Sequence, residues 1–144
     1  MSLYEIDTEQ QDEMVTFAEA NDAPIVMVNL MQVREHAIYP EDMPGDLETT
    51  PCSGREAMRR YSEASAGVRA ASGASLVWRG DVGLLPIAAA EDRWNLVALV
   101  RYPSARAYLD MRATPEYQAA RLHRRAALED SRLFMCLEGN APAG

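Results

Sequence analysis

Apolar and polar residues alternate along several short stretches of the chain, and this period of two is typical of strands. The clearest stretch runs from Ile25 to Val33, where both faces of the predicted strand are mostly apolar, so both must be covered. Residues 74–88 and 93–102 predict two more strands, which a short turn joins as an antiparallel hairpin. A last strand is predicted over 131–138.

In other segments, apolar residues recur every three or four positions, which predicts helices. These segments are 8–21, 54–72, 105–112 and 115–128. Thr8 is the expected cap of the first helix. Ser53 and Glu56 form a capping-box pattern before the second helix, and Gly73 is placed where a left-handed helix stop is expected.

After the first helix, the predicted order is strand, helix, strand, strand, helix, strand, which is the ferredoxin-like βαββαβ order. The fold class is therefore expected to be α+β, with the two main helices on one face of a four-stranded antiparallel sheet. The expected division is a helical extension at 1–23, the folded domain at 24–138 and a flexible tail at 139–144.

The second face of this sheet is predicted to be apolar as well. A large exposed apolar face usually marks an interface. The simplest cover is a second copy of the chain packed sheet to sheet about a two-fold axis, which predicts a homodimer. The first helix could cover the same face instead, and the sequence leaves these two arrangements open.

Charge narrows the possible partners. The chain has 14 Lys and Arg against 22 Asp and Glu, a formal net charge of −8, whereas nucleic acids and anionic membranes attract basic surfaces. We therefore expect no nucleic-acid partner and no membrane partner. The start of the chain has no signal-peptide pattern, and Cys52 and Cys136 lie far apart, so a cytoplasmic protein with reduced thiols is predicted. No nucleotide-binding or metal-ligand motif is present, so we expect no bound cofactor and no obligatory metal.

Arg124 points most directly to chemistry. It falls on the apolar stripe of the last predicted helix, between Ala120 and Ala127. A buried guanidinium keeps its proton and so needs a partner. That partner is either the carboxylate or enolate of a substrate, or a carboxylate of the protein such as Asp110 or Glu116. The residues alone leave both interpretations open.

Four other residues are candidates for binding a ligand beside Arg124. Tyr117 lies two turns earlier on the same stripe, Tyr61 has a similar place on the second helix, and Asn29 interrupts an apolar strand face. Trp94 begins a predicted strand near the same end of the sheet. Each of these residue types is also common in a packed core with its polar group bonded to the protein.

The chain has two histidines, and histidine is the usual general base near neutral pH. His36 lies in a long connection, 34–52, that contains three prolines and five acidic residues. Such a connection is either a lid over a site or a solvated insertion. His36 and Arg124 are therefore the candidate catalytic residues. His123 points about 100° away from Arg124 around the helix, and a surface position is expected for it.

Several segments resemble an uncharacterised family, domain-of-unknown-function family 1330 of the dimeric α/β-barrel superfamily. The segments are PIVMVNLMQVRE, DRWNLVALVRYPSARAYLDM, PEYQ and HRRAALEDSRL. The resemblance covers about residues 24–138, and it departs at Gln32-Val33, where Lys-Phe is common. It implies the fold and the dimer, and its His-Arg pair ends on Arg124. The superfamily includes cofactor-free monooxygenases, isomerase-like enzymes, haem-handling proteins and stress proteins, so the fold does not select an activity.

Three functions follow from these residues. The first is binding of a small molecule, with turnover of a small organic acid or of an enolisable or aromatic compound without a cofactor. The second is a dimeric binding or stress-response module that holds a ligand without changing it. The third is a purely structural dimer in which Arg124 forms an internal ion pair.

Overall fold

The structure is a computed structural model that describes residues 6–138. In that range the elements are α1 (Thr8–Ala20), β1 (Ile25–Val33), α2 (Gly54–Ala71), β2 (Ser75–Asp81), β3 (Leu96–Tyr102), α3 (Ala105–Arg112), α4 (Pro115–Ala127) and β4 (Leu128–Leu137). The predicted flexible tail at 139–144 lies outside the described residues.

The four strands form one antiparallel sheet in the order β2-β3-β1-β4. β1 and β3 are central, and β2 and β4 are the edges. Helices α2 and α4 pack against each other over one face of the sheet. This order, together with the βαββαβ succession that follows α1, confirms the prediction of an α+β, ferredoxin-like fold.

Side chains that cap the helices fix where the long helices begin. Asp7, rather than the predicted Thr8, caps α1, because its carboxylate accepts from the backbone N–H of Gln10 at 2.9 Å while the Gln10 side chain accepts from the N–H of Asp7. Ser53 caps α2 as predicted, by accepting from the N–H of Glu56 at 3.0 Å. The Glu56 carboxylate, however, pairs with an arginine of the next turn instead of closing the capping box.

β1 has the predicted bounds, but the two hairpin strands are shorter than predicted. β2 ends at Asp81 and β3 begins at Leu96, so residues 82–95 form an irregular connection. Asn95 explains the late start of β3. Its side chain accepts from the backbone N–H of Val33 at 2.9 Å and donates to the carbonyl oxygen of Val33 at 3.1 Å, which ties the end of the connection to β1.

Alternate residues of β1 face the helices. Ile25, Met27, Met31 and Val33 are buried on that side and pack with helix residues in two clusters. Asn29 has the same parity, so it lies on the same face, between the two clusters. The period of two therefore brings one amide into an otherwise apolar layer.

The opposite face of the sheet is open. Val26, Val28 and Leu30 of β1 are only half-buried, and Trp78 and Phe134 on the outer strands are 53% and 49% exposed. No element in the described part of the chain packs across these side chains.

α1 lies on the helix side of the sheet. Its Ala18 is buried in one cluster with Ile25 and Met27, and α1 contacts α3. The arrangement in which the first helix covers the open face is therefore not the one observed. The apolar surface of the open face needs a different cover.

The acidic connection after β1 is anchored at both ends. The N–H groups of Arg34 and Ile38 donate to carbonyl oxygens in the last turn of α4 at 2.7 and 2.9 Å, and the N–H of Ala37 donates to the carbonyl oxygen of Cys52 at 3.0 Å. Residues 41–51 between these anchors are mostly exposed. The connection is thus fixed at its ends, and its middle is solvated.

Candidate ligand-binding cavity

A cavity of about 930 Å³ lies between the helices and the sheet. All four helices and all four strands contribute to its wall. Binding sites for organic ligands typically measure about 300–1,000 Å³. Four of the residues singled out in the sequence, Asn29, Tyr61, Tyr117 and Arg124, line this one cavity.

Arg124 reaches the cavity from α4 and is half-buried. Its Nη2 donates to the side-chain oxygen of Asn29 at 3.5 Å, the long limit of a hydrogen bond. Among residues 6–138, neither Asp110 nor Glu116 nor any other carboxylate forms an ion pair with it. A guanidinium has five N–H donors. Most of the hydrogen-bonding capacity of Arg124 is therefore not used by the described protein.

Asn29 is held in place by the sheet itself. Its Nδ2 donates to the carbonyl oxygens of Met27 and Ala98, each at 3.4 Å. Since both contacts use the amide N–H groups, the oxygen of the amide is the atom that meets Arg124. The two side chains together form a polar patch, cationic overall, on the wall of a mostly apolar cavity.

Tyr61 and Tyr117 place two hydroxyl groups on the same wall. The hydroxyl oxygens lie 3.1 Å apart and share a hydrogen bond, and the rings meet edge to face with centroids 6.1 Å apart. Burial raises the pKa of Tyr61 well above its ordinary value, and the neighbouring Tyr117 adds to this effect, while the charge of Arg124 acts against it. The Tyr61 hydroxyl is therefore a hydrogen-bond donor at neutral pH.

A second pair of tyrosines, which was not predicted from the sequence, lies on the wall. Tyr102 and Tyr108 pack edge to face with ring centroids 5.1 Å apart. Burial raises the pKa of both hydroxyls. The signal for Tyr102 was present in the sequence, because it shares the parity of the buried residues of β3. Tyr108 belongs to the short helix α3, whose contacts depend on the tertiary fold.

The charge on the cavity wall is opposite to that of the whole chain. The lining includes five arginines and, among the described residues, one carboxylate, that of Glu13. The five arginines are Arg69, Arg79, Arg112, Arg124 and Arg132. Arg69 donates to the Ser65 hydroxyl at 2.9 Å. Arg132 pairs with Asp130 at 2.6 Å and lies opposite Leu30 of the open face, so its side chain belongs to that face and the positive charge of the cavity comes from the other four arginines. A protein of net charge −8 thus concentrates positive charge around this one space.

Two candidate residues from the sequence lie elsewhere. The side chain of His36 is 86% exposed, and its backbone pairs with Ser53 in an isolated bridge at the start of the acidic connection. His36 does not line the cavity, so the structure does not bring it to Arg124. Trp94 does not line the cavity either, because it precedes the first residue of β3 and its ring packs under the guanidinium of Arg132, 5.1 Å from the ring centroid.

His123 is buried, so the expected surface position is wrong. Only 3% of the residue is exposed, and its Nδ1 lies 2.7 Å from the hydroxyl of Tyr39 in the acidic connection. Arg60 of α2 donates to that hydroxyl at 3.4 Å and to the backbone carbonyl oxygens of Glu48 and Thr50 at 3.1 and 3.0 Å. The Tyr39–His123–Arg60 cluster therefore joins the connection to both main helices. No sequence pattern predicts this cluster, since its members are far apart along the chain.

Neither a metal-binding cluster nor a membrane-spanning helix is present in residues 6–138. No group of three or more His, Cys, Asp or Glu side chains in that range is placed to hold a metal ion. No helix in the same range is long and apolar enough to cross a membrane.

A comparison with protein families decides the classification. The model of a family described as a domain of unknown function, DUF1330, matches residues 49–139. The chain belongs to the DUF1330 family. The matched residues of this DUF1330 chain include Tyr61, Tyr117 and Arg124, whereas Asn29 and α1 precede them. No protein with a curated description matches the chain.

Two solved structures of one protein are similar over nearly the whole DUF1330 chain. RPA0582, a protein of unknown function from Rhodopseudomonas palustris, is 29% identical, with 98% of this chain and 100% of that chain covered and a TM-score of 0.84. The methylated RPA0582 protein gives 30% identity, coverage of 99% and 100%, and a TM-score of 0.83. A hydroxynitrile lyase from Passiflora edulis is 6% identical, with 84% and 98% covered and a TM-score of 0.53, and it shares the fold alone.

Proposed function

We propose that this protein binds a small organic anion in the cavity between its helices and its sheet. The proposal rests on the hydrogen-bond contacts of Arg124. Its guanidinium lies on the cavity wall, and its contact within the described protein is a 3.5 Å hydrogen bond to a neutral amide. Carboxylates form short, often bidentate hydrogen bonds with guanidinium groups. A ligand carboxylate would therefore satisfy the donors that the protein leaves unused.

The neighbouring groups support an anionic ligand. Asn29 fixes one side of the guanidinium, and the hydroxyl of Tyr61 stays protonated at neutral pH, so it can donate to a second oxygen of the ligand. The excess of arginine over carboxylate on the wall adds long-range attraction for a negative charge. Asn29, Tyr61, Tyr117 and Arg124 are the proposed ligand-binding residues.

Binding is supported better than turnover. Arg124 and the tyrosine hydroxyls could stabilise a negative oxygen that develops in a reaction, as an oxyanion site does. A reaction by proton transfer also needs a proton acceptor within hydrogen-bond distance of the ligand. The exposed side chain of His36 is outside the cavity, and the one carboxylate of the described wall is the exposed Glu13. We therefore do not assign a catalytic step to these residues.

A thermal-shift experiment with matched variants tests the proposal. Wild type, Arg124→Gln and Arg125→Gln are heated with small carboxylates, β-keto acids and phenols. Arg125 is the adjacent residue of α4 and is exposed. Arg125→Gln changes the net charge by the same amount as Arg124→Gln, so it serves as the control. A ligand at a hundredfold above its dissociation constant adds about 2.7 kcal/mol to stability. We expect shifts in wild type and Arg125→Gln but not in Arg124→Gln. Equal shifts in all three proteins, or none in any, would contradict the proposal.

The open face of the sheet supports a second proposal, a homodimer formed sheet to sheet. Its exposed residues include Trp78 and Phe134, with the half-buried Val28 and Leu30 between them. Apolar faces of this kind are usually interfaces, and a two-fold pairing covers the face on both copies at once. We also expect a cytoplasmic location, which the two unpaired cysteines of the described chain support.

A further inference from the structure

The pairing of the strands divides the cavity floor into layers. Residues that pair directly across antiparallel strands point to the same face. Asn29 pairs with Ala98 on one side and Leu133 on the other, and this layer lies under Arg124. Two residues along β1, Met27 pairs with Val100 and Met135, and all three side chains line the cavity. Along the strands, the floor therefore passes from the layer that contains Asn29 to a layer in which all three paired side chains are apolar.

The apolar part of the cavity continues beyond Met27. Ile25 pairs with Tyr102, whose ring lines the cavity at this end. α1 covers the same region, since Met14 and Phe17 line the cavity and pack against the cluster that contains Ile25 and Met27. From the Asn29 layer to the Tyr102 layer is four residues of strand, or about 13 Å. An extended alkyl chain of about ten carbons has that length.

Side chains around this stretch are soft and apolar. Three of the five methionines that line the cavity, Met14, Met27 and Met135, lie along this stretch, whereas Met31 and Met58 lie on the other side of the Asn29 layer. Methionine adapts to irregular apolar partners because it is unbranched and polarisable. A volume of about 930 Å³ is also far larger than a two- or three-carbon acid needs, and such a small ligand would leave most of the apolar wall in contact with water.

We infer that the ligand is an amphipathic monocarboxylate. Its carboxylate binds Arg124 beside Asn29, and its apolar body lies over Met27, Val100 and Met135 toward α1. This inference rests on the proposed anion-binding function and adds the class and the orientation of the ligand. α1 then has a direct role, because it supplies the wall that contacts the far end of the apolar body.

A homologous series of n-alkanoates, from four to fourteen carbons and below micelle-forming concentrations, tests the inference by calorimetric titration. Each buried methylene adds about 0.8 kcal/mol, which is about fourfold in affinity. We expect the dissociation constant to fall with each added carbon and to level off near about ten carbons, where the chain reaches the Tyr102 layer. Arg124→Gln should weaken every member by a similar factor, because each uses the same carboxylate contact.

Two further variants locate the apolar body. Met14→Gln places an amide on the half-buried α1 wall, so it should weaken decanoate at least about fivefold and leave butanoate unchanged. Trp78→Gln, on the open face of the sheet, should change neither, which separates the cavity from adsorption to that face.

The outcomes are distinguishable. If no alkanoate binds but another anion of the thermal-shift panel binds in a way that Arg124→Gln abolishes, this inference fails and the anion-binding function stands. If no anion of either set binds, both fail. If butanoate binds as tightly as decanoate and Arg124→Gln abolishes both, the anion site stands and the amphipathic ligand is excluded. If affinity rises with length but Arg124→Gln has no effect, or only Trp78→Gln has an effect, the proposed orientation is wrong.

Discussion

Arg124 of α4 and Asn29 of β1 meet at 3.5 Å on the cavity wall, so a half-buried cation rests against a neutral amide rather than a carboxylate. This contact joins the helix layer to the centre of the sheet. It differs in kind from a buried ion pair, in which each charge depends on the other for its solvation. The difference can be measured in the stability of the free protein.

We expect Arg124→Gln to change the free energy of unfolding by less than about 1 kcal/mol, the typical value for one hydrogen bond. Breaking a buried ion pair costs about 3–5 kcal/mol, because the partner charge is left unpaired. Urea denaturation of wild type, Arg124→Gln and the exposed control Arg125→Gln gives the comparison. A loss of 3 kcal/mol or more, about the ion-pair value, confined to Arg124→Gln would identify a structural ion pair instead.

The shared hydrogen bond of Tyr61 and Tyr117 predicts coupled mutational effects. Tyr61→Phe and Tyr117→Phe should each lower stability by about 1 kcal/mol. The double variant should lose less than the sum of the two, by about 0.5 kcal/mol or more, because the same bond is removed in both single variants. Denaturant titrations of wild type, the two single variants and the double variant provide this double-mutant cycle. Strict additivity would mean that each hydroxyl bonds elsewhere.

His123 predicts a loss of stability in mild acid. Burial lowers the pKa of His123 from its ordinary value near 6.5, and the charge of Arg60 lowers it further, while Glu48 acts in the opposite direction. Between that lowered pKa and about 6.5, the unfolded chain binds more protons than the folded one, so stability falls as the pH falls. The stability that neutral His123 contributes is fully present above about pH 6.5. The slope of the free energy of unfolding against pH cannot exceed about 1.4 kcal/mol per pH unit for this one group.

Urea midpoints of wild type and His123→Gln, measured from pH 8 to pH 5, provide the test for this window. The wild type should lose more stability than the variant as the pH falls. The partner of His123 is Tyr39, whose own pKa is raised by burial and lowered by Arg60, so Tyr39 remains a neutral hydroxyl throughout this range. Parallel pH profiles for the two proteins would show that His123 is protonated as easily in the folded chain as in the unfolded one.

The open sheet face predicts a monomeric variant. A lysine in place of Val28, at the centre of that face on β1, places a charge in the proposed interface, and a desolvated unpaired charge is costly. We expect wild type to have the mass of a dimer by light scattering and Val28→Lys that of a monomer with unchanged circular dichroism. Ala66→Lys, at an exposed position of α2, serves as the control. A monomeric wild type would exclude the homodimer at the concentration used.

Two glycines of α2 predict opposite effects of the same substitution. A Cβ at Gly54 would overlap the backbone carbonyl oxygen of Arg34, whereas a Cβ at Gly67 has nothing within 4 Å. Gly54→Ala should therefore destabilise by about 1–3 kcal/mol, and Gly67→Ala should stabilise by about 0.5–1 kcal/mol, since alanine favours a helix interior. Thermal unfolding of both variants checks the pair. A neutral Gly54→Ala would mean that the start of α2 can move away from Arg34 at little cost.

The sequence predicted the fold where a local pattern and the tertiary structure agree. β1 was predicted with the observed bounds because Ile25–Val33 alternates without interruption and is central in the sheet. β2 and β3 were predicted too long because residues 82–95 are rich in apolar side chains, yet Ile87 is 98% exposed. Hydrophobicity alone does not distinguish a strand from an apolar segment that leaves the sheet.

The candidate site was predicted in part for a similar reason. Arg124 and Asn29 were identified because each interrupts an apolar face, and such interruptions can be recognised from the spacing of residues. The burial of His123 was not predicted, since Tyr39 reaches it from a connection 84 residues away in sequence. The exposed side chain of His36 and its backbone bridge to Ser53 are likewise features that no local pattern encodes.

His123 and Arg124 are consecutive residues of one helix, yet they face two different environments. Arg124 contacts Asn29 in the cavity, and His123 contacts Tyr39 in the acidic connection. α2 repeats this division, with Tyr61 in the cavity and Arg60 against the connection. One turn of each helix therefore holds part of the cavity wall on one side and part of the acidic connection on the other, so the two regions share the same structural support.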